Sequence, residues 1–158
     1  MRDTSSIHLK LQGYADCFVE TDPDLELREI SAKGVAGDPT NDLTEVALKY
    51  LALAILHGID QGARKVRIKS KGPVSGSCSL VGKRKLELPS PPTGLAAHMV
   101  SMIRCITDLE KDSDKGKFAY GVRNDLLEID VEVTRDGEEE ELTLNLPNTS
   151  LKESGGRP

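Results

Sequence analysis

Residues 126–146 constrain the fold more than any other part of the chain. Leu127, Ile129, Val131 and Val133 alternate strictly with polar residues, and Leu142, Leu144 and Leu146 do the same after Asp136-Gly137. Alternation with a period of two marks strands with one buried face. An Asp-Gly pair between two such runs signals a two-residue hairpin turn. With the turn at Asp136-Gly137, Arg135 is expected opposite Glu138, Val131 opposite Leu142, Ile129 opposite Leu144 and Leu127 opposite Leu146. Glu132 then faces Glu141 across the solvent side, a repulsion that the pair must tolerate. A half-buried antiparallel pair needs a layer to cover its apolar face, and the rest of the chain must supply it.

The cover is read upstream. Asp42 followed by Glu45 fits a capping box. From there Leu43, Val46, Ala47, Tyr50, Leu51, Ala54 and Ile55 recur at helical spacing. Leu48, Leu53 and Leu56 widen the stripe, so this helix is expected to be largely buried, with Gly58 and Gly62 as stop signals. A second helix is expected over residues 93–112, with Leu95, Met99, Met102, Ile103, Ile106 and Leu109 inward. Between the two helices lie three short strand signals. Residues 66–70 place Val66 and Ile68 on one face, residues 75–80 are small and polar, and residues 83–88 place Leu86 and Leu88 on one face.

The first 40 residues are read as strands. Ile7, Leu9 and Leu11 alternate with polar neighbours, Gly13 breaks the run, and residues 15–20 return on it. Residues 25–32, with Leu25, Leu27 and Ile30, are left open between strand and loop. The domain reading is therefore a strand extension over 1–40 in the same sheet, a core over 41–147, and a polar Gly-rich tail over 148–158. The fold class expected is α+β: a mainly antiparallel sheet with two principal helices on one face.

Composition narrows the function. The chain has 158 residues, 30% charged and 37% apolar, with a net charge of −5, which suits one domain and argues against a nucleic-acid partner. Aromatics make up only 3%, so bases have little to stack on. No apolar run approaches membrane-spanning length, and the first residues do not resemble a signal peptide. Cys17, Cys78 and Cys105 are widely spaced without a C-x-x-C pair, which points to reduced thiols in a cytoplasmic protein.

Chemical motifs are sparse. No local spacing of His8, His57 or His98 with cysteine makes a metal site, and none is expected. His98 and Cys105 lie seven residues apart on the second helix, about 10 Å in rise, too far for a Cys–His nucleophile pair. His57 is read as a helix-end residue. The acidic group Asp125, Glu128, Asp130, Glu132, Asp136 and 138–141 lacks the ligand spacing of a calcium loop and reads as a solvated hairpin face. Neither catalysis nor a cofactor is expected. What stands out is basic: Arg64, Lys65, Arg67, Lys69, Lys71, then Lys83, Arg84 and Lys85. If these strands pair, the residues form one positive edge able to meet an acidic protein surface, a phosphate-rich ligand or anionic lipid. The ordinary role of such charges is to guard a sheet edge. The two opposite clusters make the molecule dipolar and suit head-to-tail contact between copies or docking to a charged partner.

Taken in order, these segments resemble the PAS-like domain that precedes the motor core in type II secretion and type IV pilus assembly ATPases. The helix leads to Gly62-Ala63 and the strand at 66–69. Residues 74–81 end in Gly82, and Lys85-Leu-Glu-Leu-Pro89 fits a run to Leu-Pro. Residues 100–109 sit at the family's helix core and residues 113–118 at its turn. Residues 128–134, Glu-Ile-Asp-Val-Glu-Val-Thr, match its "E-I-D-x-R-V-S" strand. The resemblance covers about two thirds of the chain. It implies a PAS-like fold and an association with secretion or pilus machinery.

The departures weigh equally. The family places arginines here to reach nucleotide on a neighbouring motor core. In this chain the Arg of the last strand is Glu132, and the earlier basic positions are Ser75, Ser77 and Cys78. Only Lys117, in the turn with Asp114, keeps its charge. A glutamate in place of arginine cannot stabilise a phosphate. No G-x-x-x-x-G-K-[ST] run occurs, and residues 70–77 contain glycine without its Lys-Ser/Thr ending. The function expected is a non-catalytic interaction or scaffold module that binds a protein partner or itself. The candidate surface is the ten residues Arg64, Lys65, Arg67, Lys69, Lys71, Lys83, Arg84, Lys85, Asp114 and Lys117. The alternative is a PAS-like sensor of a small molecule or nucleotide.

Overall fold

The computed structural model describes residues 3–18, 20–35, 42–72, 75–92, 94–107, 115–122 and 125–147. They form an α+β fold. Helices α1 (Asp3–Phe18), α2 (Pro23–Lys33) and α3 (Leu43–Gln61) come first, then strands β1 (Lys65–Lys71), β2 (Ser75–Val81) and β3 (Lys85–Glu87). Helix α4 (Leu95–Thr107) crosses to β4 (Lys115–Val122), β5 (Asp125–Asp136) and β6 (Glu139–Asn145). All strand pairs are antiparallel, in the order β3-β2-β1-β6-β5-β4. Two three-stranded meanders thus meet where β1 pairs with β6.

Every helix lies on the same side of the sheet. Val66 and Ile68 of β1, Cys78 and Leu80 of β2, Phe118 and Tyr120 of β4, Ile129 and Val131 of β5, and Leu142 and Leu144 of β6 are buried against them. Helix α3 is sandwiched between the sheet and α1 and α2. That position explains why residues 46–48 and 50–58 are all buried, although a surface helix would bury one stripe only.

Helix α3 begins as expected, with the Asp42 carboxylate accepting the Thr44 N–H at 2.9 Å. The capping box is not closed, because Glu45 accepts instead from Tyr14 Oη at 2.5 Å and Lys10 Nζ at 2.7 Å of α1. Gly62 ends the helix in the left-handed region at φ 71°. Gly58 does not end it. A Cβ there would lie 3.0 Å from Leu146 and 3.4 Å from both Leu80 and Val66, so this glycine lets the helix approach the sheet.

The strand reading of residues 1–40 is corrected: α1 and α2 are helices and no part of them joins the sheet. The alternation of Ile7, Leu9 and Leu11 misled, because Leu9 is 71% exposed. The pattern that folds is helical: Leu11 and Ala15 are buried, and Tyr14 and Phe18 pack on the same core. In α2 the Asp22 carboxylate caps the N–H of Leu25, and Pro23 suits the first turn.

The hairpin register is also corrected. The turn is Gly137-Glu138, with Gly137 at φ 65°, so Asp136 faces Glu139 and the pairing slips by two residues from that expected. A slip of two keeps every side chain on its face, so the apolar pattern cannot distinguish the registers. Charge can. Val133 faces Leu142 and Val131 faces Leu144, while Glu132 now meets Thr143 rather than Glu141. Arg135 meets Glu140, with Nη2 to Oε2 at 2.5 Å.

Residues 115–118, expected as a turn, are the start of β4. Helix α4 buries Leu95, Met99, Met102 and Ile103 as expected, and Leu109 lies outside the described residues.

Candidate functional site

The side of the sheet opposite the helices has no described element packed on it. Alternation places Lys65, Arg67, Lys69 and Lys71 of β1 there, because Val66, Ile68 and Ser70 point into the core. The registers arrange this open face in rows. The first runs Lys85, Val81, Lys65, Asn145, Asp130, Lys117, from β3 to β4. The second runs Glu87, Ser79, Arg67, Thr143, Glu132, Lys115. The third holds Ser77, Lys69, Glu141 and Thr134, and the fourth pairs Lys71 with Glu139 and Asp136.

Seen as columns, the face separates charge. Strand β1 is a basic column, extended by Lys85 on β3. Glu128, Asp130 and Glu132 make β5 an acidic column, and Lys115 and Lys117 of β4 flank it. As alternate residues of one strand these three carboxylates share a face. Arg67 Nε lies 2.8 Å from Glu141 Oε2, and Lys117 Nζ lies 3.5 Å from Glu128 Oε2. Lys85 pairs with Glu87 at 3.4 Å.

The ten candidate residues are thus brought together only in part. Lys65, Arg67, Lys69, Lys71 and Lys85 share the face. Lys83 and Arg84 are exposed in the β2–β3 turn beside it, and Arg64 precedes β1, its backbone N–H bonded to Val81 O at 2.8 Å. The expectation of a positive edge is corrected, because β1 is an interior strand between β2 and β6. Lys117 stands three strands away, about 14 Å by strand spacing, and belongs to the acidic side. Asp114 lies outside the described residues.

Two other places carry polar groups. An open cleft of about 420 Å³ is lined by Asp24, Arg28, His57, Gln61 and residues 86–89. Arg28 pairs with Asp24 one helical turn away at 2.9 Å. Sequence reasoning missed the cleft because α2 was not assigned; the Asp24–Arg28 spacing of four was its available signal. In the core, Tyr50 Oη donates to Pro89 O beside Cys78. Complete burial pushes the Cys78 thiol up to about 12. His98 is hydrogen-bonded to Thr44 Oγ1 at 2.9 Å, and its partial burial lowers its pKa. Cys105 is exposed. Among the described residues no group of three or more His, Cys, Asp or Glu is placed to hold a metal ion. No described helix is long and apolar enough to cross a membrane.

No protein-family model matches the chain, and comparison with curated proteins finds no match.

Proposed function

We propose that this chain is a non-catalytic protein-interaction module, resembling the pre-motor domain of a secretion or pilus ATPase, that works in the cytoplasm. The observation that supports it is the uncovered sheet face, with Lys65, Arg67, Lys69, Lys71 and Lys85 gathered on one half. A one-sided antiparallel sheet is the architecture that the resemblance implies. The positions at which that family reaches a nucleotide are here neutral, acidic or already paired, as Lys117 is with Glu128. That favours docking over phosphate chemistry.

Affinity capture from native lysate tests the reading, comparing the wild type with the charge reversal Lys83→Glu, Arg84→Glu, Lys85→Glu combined with Lys65→Glu. The expected result is a partner retained by the wild type and lost by the variant. Recovery of no charge-sensitive partner sinks the proposal.

A second reading, a small-molecule or nucleotide sensor, draws on the cleft between α2, the end of α3 and β3. Isothermal titration with ATP, ADP and cyclic dinucleotides separates the two. Micromolar heat that is lost on reversing Arg28 of the cleft favours sensing. No heat from any of them favours docking.

A further inference from the structure

We infer that the open sheet face binds a second copy of this chain, the two sheets stacking face to face about a two-fold axis along β6. The inference rests on reading this face as a docking surface and names its occupant. The argument is charge complementarity within a single face. Strands β1 and β5 flank β6, one basic and one acidic, at equal distances of about 5 Å. A two-fold axis along β6 turns the partner over, so that its β1 lies above β5 of the first copy, and the reverse. Positions along the strands are preserved by that rotation. Lys65 then faces Asp130 of its own row, Arg67 faces Glu132, and Lys71 faces Asp136. Every contact occurs twice, as an isologous interface requires.

The geometry tolerates real sheets. Stacked sheets lie about 10 Å apart and are turned by about 30°. At about 5 Å from the axis this turn shifts residues along the strands by roughly 2–3 Å, less than the ~6.6 Å between alternate residues, and about 10 Å from the crossing it shifts them sideways by roughly 5 Å, so opposition is closest in the rows nearest the crossing. On the axis itself stand Asn145 and Thr143, which are neutral, Glu141, already held by Arg67, and Glu139, which meets its own copy with Lys71 beside it in the same row. Five overlapping strands of about seven residues cover roughly 1,100 Å² summed over both copies, which clears the ~1,000 Å² of a biological contact and suits a weak, reversible dimer. The rim is charged, so the pairing depends on ionic strength.

Sedimentation equilibrium of the full chain tests this at about 50 mM and about 500 mM salt, the higher value screening charge over about 4 Å. The expected result is a dimer whose affinity falls at least about tenfold at high salt. Two double variants sharpen the test: Lys65→Glu with Arg67→Glu makes β1 and β5 both acidic in the first two rows, and Asp130→Lys with Glu132→Lys makes both basic there. Each alone is expected to be monomeric, and an equimolar mixture is expected to dimerise again, since the two faces are complementary. Circular dichroism checks folding; a double variant that does not fold is replaced by Lys65→Glu or Asp130→Lys alone. A wild type that stays monomeric at low salt overturns the inference. So does a dimer that survives both reversals, or a mixture that fails to associate. A monomeric wild type that still captures a charge-sensitive partner sinks only the self-pairing and leaves the docking reading standing.

Discussion

The side-chain amide of Gln12 bonds twice to the backbone of Gly121, imitating a neighbouring strand. Nε2 donates to the Gly121 carbonyl at 2.5 Å, and the Gly121 N–H donates to Oε1 at 2.7 Å. Strand β4 is last in the sheet order, so a helix side chain covers backbone groups that no further strand can pair. Gln12→Ala removes both bonds and is expected to cost about 1–2 kcal/mol of stability. Urea denaturation reads the loss, and amide hydrogen exchange is expected to quicken at Gly121. Unchanged protection at Gly121 would show that the amide does not close this edge.

Helix α4 approaches β2 at Gly76. A Cβ there would stand 2.3 Å from Ala96 Cβ and 2.9 Å from the Lys69 carbonyl oxygen. Gly76→Ala must push the helix off the sheet, and an overpacking cost of about 1–3 kcal/mol is expected. Adding Ala96→Gly makes room, so the double variant is expected to lose less than the sum of the single changes, measured by thermal melting. Simple additivity contradicts the contact.

The acid response centres on Glu45. Its carboxyl is held below the ordinary 4.5 by the hydrogen bond from Lys10 first and that from Tyr14 next. A carboxyl depressed in the folded state adds stability above its unfolded value and loses it as pH falls through the folded one. Lys10 is raised by the same partner, so its share holds below 10.5 and is lost as pH rises through its folded value. Glu45→Gln is therefore expected to be less stable than the wild type at about pH 7, with the gap closing towards about pH 3. Urea midpoints across that range decide it, and a gap that does not change with pH counts against the latch between α1 and α3.

The three thiols are expected to divide two to one. Cys17 and Cys105 are exposed, whereas Cys78 is buried with its pKa pushed up to about 12. Thiolate is the reactive form. In the native protein near neutral pH a disulfide reagent is expected to label Cys17 and Cys105 quickly and Cys78 only after denaturant is added. Rapid labelling of all three without denaturant contradicts the packing of Cys78 beside Tyr50.

Much of the sheet core and both principal helices were legible from pattern. The residues of α3 and α4 repeat at helical spacing over long enough stretches that one face must be apolar whatever lies beyond it. The candidate face was legible in composition but not in place. Lys65, Arg67, Lys69 and Lys71 alternate with buried residues, which puts them on one face of a strand. Nothing local says that β6 rather than solvent lies beside that strand. Residues 115–122 escaped because glycines and lysines dilute the alternation of Phe118 and Tyr120. The cleft near His57 escaped because it needs α2 and β3 together.

By itself the sequence determined the class, the two long helices, the strands β1 and β2 and the presence of a hairpin after residue 133, since each rests on side-chain periodicity within a single segment. Only the tertiary structure decided that residues 7–18 are a helix, because so short a segment takes the period of the surface it packs on, here Leu11 and Ala15 against α3. It also decided the hairpin register, where the apolar faces allow slips of two and Arg135 meets a glutamate in either register. And it decided the pairing of β1 with β6, a contact between segments some seventy residues apart. That pairing turns two charged strands into one patterned face, and it forms through backbone hydrogen bonds that every residue offers alike and no local pattern encodes.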